Sequence, residues 1–244
     1  MDWPKAKTIL IIAFLITDLF LIFSYVLPKY ITQEHTDNQT FIDVLARKNI
    51  YIETEIPQKH SNMPVLYVKH EICDEEKING LLDAQKPLPD DTDTDEMYQK
   101  AAETFIKNTG LMYDTLLFNK VERAGGNIIV SFKNQVNDIL VEKSDLACTF
   151  RDRLLIGFEC NWLYVTEFND KKQSTISAVE ALLMFMDEIA FDNTDKKITI
   201  EELKMVYWLE ESSIDVNAVT DTAIPAWKIV YNGGETKYIN AYEQ

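Results

Sequence analysis

Five carboxylates crowd into Asp90-Asp91-Thr92-Asp93-Thr94-Asp95-Glu96, the densest set of candidate cation ligands in the chain. A calcium loop needs a glycine at its sixth position for the sharp turn and a bidentate glutamate at its twelfth. Counted from Asp91, those positions hold Glu96 and Ala102. The run therefore reads as a solvated acidic loop entering a helix. His35, His60 and His70 lack H-E-x-x-H or any other metal spacing. The seven glycines form neither G-x-G-x-x-G nor a P-loop, so a nucleotide lacks its usual backbone cradle. G-x-S-x-G and S-x-x-K are missing too. No nucleophile, base and orienter assemble from these residues. The expectation is a non-enzymatic chain with no catalytic, metal-binding or cofactor-binding residues and no cofactor. Cys73, Cys148 and Cys160 lack C-x-x-C spacing. Two readings stay open: a bridge between Cys148 and Cys160, both in strand-like segments, or three buried small hydrophobes.

The most informative polar residue is Asp18, because of what surrounds it. Residues 8–27 read TILIIAFLITDLFLIFSYVL, with Asp18 the one charge. At about 1.5 Å per residue this segment is roughly 30 Å long, the thickness of a bilayer core. Its exit, YVLPKYITQEH, has no small-residue cleavage site. An uncleaved single transmembrane helix is expected over 8–27, after a cytoplasmic N-terminus at 1–7. Lys5 and Lys7 before the span set that orientation by the positive-inside rule. A carboxylate near the midplane is costly and looks for a partner. At about 100° per residue, Thr17, Asp18, Ser24 and Tyr25 fall in an arc of about 120°, with Phe14 and Leu21 inside it. Such a stripe is expected to face another helix.

Residues 28–40 form a polar juxtamembrane linker, and the rest is periodic. After the short helical segment FIDVLARKNI, strands are predicted over 50–56 and 65–72, and helices over EEKINGLLDAQ and 94–109. Asp93 is a candidate N-cap with Glu96 completing a capping box, and Gly110 a helix stop. Strands follow over 111–121, 127–132 and 139–150, the first two joined by a turn at Ala124-Gly125-Gly126-Asn127. The order then repeats. Strands over 154–159 and 162–168 precede an amphipathic helix over 174–191, then strands near 203–210, 226–231 and 237–241. The predicted fold is α+β: the anchor, then two antiparallel-sheet-plus-helix units over 41–150 and 151–244.

The chain has 244 residues and a formal net charge of −16, all of the surplus lying beyond the first 28 residues. An acidic surface of that size repels phosphate backbones, so nucleic acid is excluded as a partner.

The anchor MDWPKAKTILIIAFLITDLFLIF, the segment VLARKNIYIETEIP and the ending IPAWKIVYNGGETKYINAYEQ together resemble the YycI family. These are membrane-anchored regulatory proteins of the WalK/WalR (YycG/YycF) two-component system. The ending also looks like the last hairpin of PepSY-type domains. The resemblance implies a cell-membrane protein with most of its chain extracytoplasmic, regulating a sensor histidine kinase that governs cell-wall metabolism. Its implied partners are a WalK-like kinase and a YycH-like protein, in a homo- or hetero-dimer. On this reading Phe14, Thr17, Asp18, Leu21, Ser24 and Tyr25 meet the kinase span. Trp227 and Tyr238 in the final hairpin are either an outer interface or cross-strand core partners, the latter favoured. The competing function is an extracytoplasmic binding module for a cell-wall fragment or peptide, or a PepSY-like protease inhibitor.

Overall fold

The computed structural model describes residues 14, 17–18, 41–58, 61–89, 93–111, 114–169, 171–190, 196–209 and 221–242. Among these, Phe14, Thr17 and Asp18 are helical and exposed. The rest of the 8–27 segment, including Leu21, Ser24 and Tyr25, lies outside the described residues, as do Lys5 and Lys7. Among the described residues no helix is long and apolar enough to cross a membrane.

Helix α1 covers 41–47 and leads into β1 (Ile50–Ile52) and β2 (Leu66–His70). Two helices follow, α2 (Glu75–Asp83) and α3 (Asp95–Thr109). Asp74 caps α2 by accepting from the Lys77 amide at 3.0 Å. For α3 the cap is Thr94, one residue beyond the expected Asp93, and its side chain accepts from the Met97 amide at 3.4 Å. Asp93 is instead drawn to Tyr98 and Arg123. Gly110 ends α3 at φ 92°, a left-handed backbone that a side chain would strain.

Strands β3 (Leu116–Ala124), β4 (Asn127–Val136), β5 (Ile139–Arg151) and β6 (Leu154–Asn161) then run as an antiparallel meander. Gly125 and Gly126, at φ 60° and 81°, make the tight first turn. After β7 (Leu163–Phe168) comes α4 (Ala178–Ala190). A reciprocal box opens it: the Glu180 amide donates to Ser177 Oγ, and the Ser177 amide donates to Glu180 Oε2. Strands β8 (Ile198–Trp208), β9 (Asp221–Tyr231) and β10 (Glu235–Asn240) complete the chain.

The α+β class is as expected, with one large sheet, but its ladders do not divide at residue 150. All ten strands belong to a single sheet with the path β3-β4-β5-β8-β9-β2-β7. β1 pairs with β8 and β2 pairs with β7 and β9, so strands from residues 50–70 complete ladders of the C-terminal half. Two pairings, β1–β8 and β5–β8, are parallel rather than antiparallel. What does recur is a helix layer over sheet. Helices α2 and α3 cover one core built on Phe132, Leu146, Phe150 and Trp162. Helix α4 and the α1 residues Phe41 and Leu45 cover another, built on Leu203, Trp227, Ile229 and Ile239.

The seam between the two halves is a bulge in β5. Asn134 of β4 faces Val141, while its neighbour Lys133 faces Asp145. Glu142, Lys143 and Ser144 are the excess, and Lys143 takes φ 58° to absorb the kink. Before the bulge β5 pairs with β8; beyond it β5 pairs with β6. Buried polar groups lock it. Asn134 Nδ2 donates to Ser144 Oγ at 3.1 Å and to the Leu163 carbonyl at 2.8 Å, and the Leu163 amide donates to Ser144 Oγ at 2.9 Å.

Cys73 and Cys160 form a disulfide with Cα atoms 6.7 Å apart. This corrects the Cys148–Cys160 alternative. Register places Cys148 opposite Phe158, with its thiol fully buried in the α2/α3 core. Cys160, near the end of β6, meets the segment just past β2 instead.

Candidate functional site

The bulge aims Glu142 across the sheet, away from α4. Directly paired residues share a face, and two registers place Lys204, Lys228 and Tyr238 together: Lys228 lies opposite Tyr238 in β10 and opposite Lys204 in β8. Glu142 comes onto that face from β5, where Leu140 pairs with Val206. Both Glu142 oxygens accept from Lys228 Nζ at 3.0 Å, and Tyr238 Oη donates to Glu142 Oε2 at 2.9 Å. The Glu142–Lys228 pair is 13% and 18% exposed, so each charge depends on the other more than a surface pair would. Burial, reinforced by the neighbouring Glu142 carboxylate, holds the Tyr238 phenol above its usual range. The Tyr238 ring stacks on Trp208 with centroids 5.3 Å apart and planes 8° from parallel.

This cluster extends into a belt. Ile224 lies opposite Trp208, and Thr222 opposite Tyr67. Tyr164, 48% exposed, lies opposite Lys69 on the same side. The face thus carries three tyrosines and a tryptophan around a neutralised ion pair. Aromatic anchors beside a few fixed polar groups are what protein interfaces concentrate. The arrangement offers no nucleophile beside a base. Among the described residues no group of three or more His, Cys, Asp or Glu converges as metal ligands. Asp95 and Asp93 instead pair with Arg123.

Trp227 and Tyr238 are not cross-strand partners. Trp227 faces Ile239 and is 1% exposed under α4, its Nε1 donating to the Ile176 carbonyl at 3.0 Å. Tyr238 points to the opposite face. Trp227 is therefore core, and only Tyr238 belongs to the aromatic belt. Period-two alternation about the Asn232–Gly234 turn carries this information. Trp208, Glu142 and Lys228 went unassigned because nothing local marks Glu142 as the residue a bulge redirects.

Among solved structures, an uncharacterized protein from Eubacterium rectale is similar at 11% identity, over 80% of this chain and 87% of that one, with TM-score 0.49. The YpeB C-terminal domain from Bacillus megaterium is similar at 11% identity over 64% of each chain, with TM-score 0.38. Likenesses this distant carry nothing about function. No curated protein matches. A family model described as "YycI protein" matches residues 30–242, nearly the whole chain beyond the apolar segment, and the protein belongs to the YycI family.

Proposed function

We propose that the chain is a non-enzymatic, membrane-anchored accessory regulator of a WalK-like sensor histidine kinase controlling cell-wall metabolism. The observation that carries this reading is the family match over residues 30–242, because the family is one of accessory regulators of a two-component system. Residues 8–27 anchor the chain in a single pass with residues 1–7 in the cytoplasm. The stripe Phe14, Thr17, Asp18, Leu21, Ser24 and Tyr25 contacts the kinase span, and the folded domain lies outside the cytoplasm. One feature supports that placement: the Cys73–Cys160 disulfide, a bond that persists in oxidising compartments. The Trp208–Tyr238 belt receives the outer partner, a YycH-like protein. Regulation then needs only different contacts with two kinase states, and a coupling of about 1–3 kcal/mol changes their ratio five- to 150-fold.

A transcriptional reporter of the kinase pathway tests this. Deleting the gene is expected to shift the output at least fivefold, restored by the wild-type chain and not by Asp18→Leu. An output indifferent to deletion would remove the regulatory role.

A further inference from the structure

Two basic stretches meet where β1 and β8 begin. The two strands run parallel, with Ile50 opposite Ile198, so the residues entering them arrive side by side. The Ile198 amide donates to the Asn49 carbonyl at 2.9 Å and fixes the junction. Arg47 and Lys48 lead into β1, Lys196 and Lys197 lead into β8, and all four are exposed. Residues 47–52 and 196–200 hold no carboxylate, in a chain whose net charge is −16. Asp43 and Asp195 flank these stretches in sequence, and the four cations still outnumber them two to one.

These charges are left unneutralised. Several lysines elsewhere pair with a carboxylate, as Lys100 does with Glu96 and Lys237 with Glu188. No ion pair among the described residues takes up Arg47, Lys48, Lys196 or Lys197. Lys197 Nζ instead sits over the Tyr51 ring, 5.1 Å from its centroid, and Tyr51 is itself 42% exposed. A cation–π contact holds that charge in place without cancelling it. Arg47 and Lys48 end α1, where the helix dipole favours cations. That accounts for two of the four and leaves Lys196 and Lys197 unexplained.

Position decides which anion the patch meets. α1 starts at Phe41, thirteen residues after the apolar segment 8–27. A chain of thirteen residues reaches at most about 45 Å, and α1 adds about 10 Å. With 8–27 as the membrane anchor, the reading on which this inference rests, the four cations stay tethered close to phospholipid headgroups. Tethering raises their effective concentration there, so a weak attraction is enough. The rest of an acidic domain is repelled by an anionic surface, so the patch also selects an orientation. We propose that Arg47, Lys48, Lys196 and Lys197 dock on anionic phospholipid headgroups. The end of the sheet where β1 and β8 begin then faces the bilayer, with the Tyr51 ring at headgroup level, where amphipathic rings concentrate.

The test uses full-length protein in lipid nanodiscs, of phosphatidylcholine alone or mixed equally with phosphatidylglycerol, at low salt. Acylation of each lysine is followed by mass spectrometry. One cation near an anionic surface is worth about fivefold in partitioning, so Lys48, Lys196 and Lys197 should react at least about fivefold more slowly in the anionic discs. Added salt should remove the difference. Lys100 on α3 and Lys69 should react alike in both discs, since β2 meets the end of β9 away from β1, with Val68 opposite Asp221. Lys196→Glu combined with Lys197→Glu should abolish the protection of Lys48, while Lys69→Glu should keep it. Thermal unfolding of each variant reports whether it is folded. Equal acylation in the two discs, by protein that stays with them, overturns the docking and leaves the anchor standing. Equal protection by glycerol phosphate added to the phosphatidylcholine discs would assign the patch to soluble phosphate and also overturn it. Protein that washes off both discs would remove the anchor, and the proposal with it.

Discussion

The Cys73–Cys160 bridge closes a loop over a sequence separation of 87, and breaking it should be costly. In the chain-entropy model such a loop removes roughly 4.5 kcal/mol of conformational freedom from the unfolded state, while measured bridges more often contribute about 2–4 kcal/mol. Each kcal/mol shifts the melting temperature of a domain this size by about 2–4 °C, so Cys73→Ser should melt about 4–16 °C below wild type. The bridge ties the segment leading into α2 to β6, so the α2/α3 layer should loosen first. The assay is thermal unfolding of the full-length chain in micelles, wild type against Cys73→Ser, with and without a phosphine reductant. Alkylation and mass measurement run alongside. Unreduced, denatured protein should expose one reactive thiol, Cys148, and reduced protein three. Three free thiols in protein isolated without reductant would refute the bridge. So would a Cys73→Ser variant that melts with the wild type.

Removing the carboxylate with Glu142→Ala leaves Lys228 half-buried and Tyr238 without its acceptor, and should destabilise by about 1–3 kcal/mol in denaturant unfolding. A double-mutant cycle with Tyr238→Phe should show coupling; additivity would mean that the hydrogen bond is idle. Burial pushes the Cys148 thiol up to about 12. Its folded pKa therefore exceeds its unfolded one, so the native state keeps the proton after the unfolded chain has lost it. That stability is intact below about pH 8.5 and should fall by up to about 1.4 kcal/mol per unit as pH rises toward 12, with the Tyr207 phenol, also pushed up to about 12, adding to the loss. A melting temperature flat to pH 11 would contradict this. Ser177→Ala opens the α4 box and should cost about 0.5–2 kcal/mol, with Ser177→Asp recovering most of it.

Local chemistry wrote most of the elements legibly. The Gly125-Gly126 turn, the Gly110 stop and the apolar stripe of α4 all stand where period and punctuation place them. Pairing over distance was not legible. Nothing in Ile50–Ile52 says that it will lie parallel to Ile198–Ile200, because a strand's side-chain period fixes its faces and leaves its neighbours open. The disulfide was hidden for the same reason, since Cys73 follows a strand whose partners lie about 90 residues or more away. The start of β9 was not legible either: the strand begins at Asp221 and runs through Pro225, five residues earlier than the expected one. The aromatic belt was half visible, with Tyr238 noticed and the bulge that brings Glu142 to it unmarked by glycine or proline.

The central claim is association with a sensor kinase through the membrane helix, and co-purification tests it most directly. Full-length protein and Asp18→Leu are each recovered from solubilised membranes and probed for a histidine kinase. The account predicts that the wild type brings the kinase down and that Asp18→Leu loses most of it. Equal recovery by both would place the association on the outer domain, and a wild type that recovers no kinase would contradict the account.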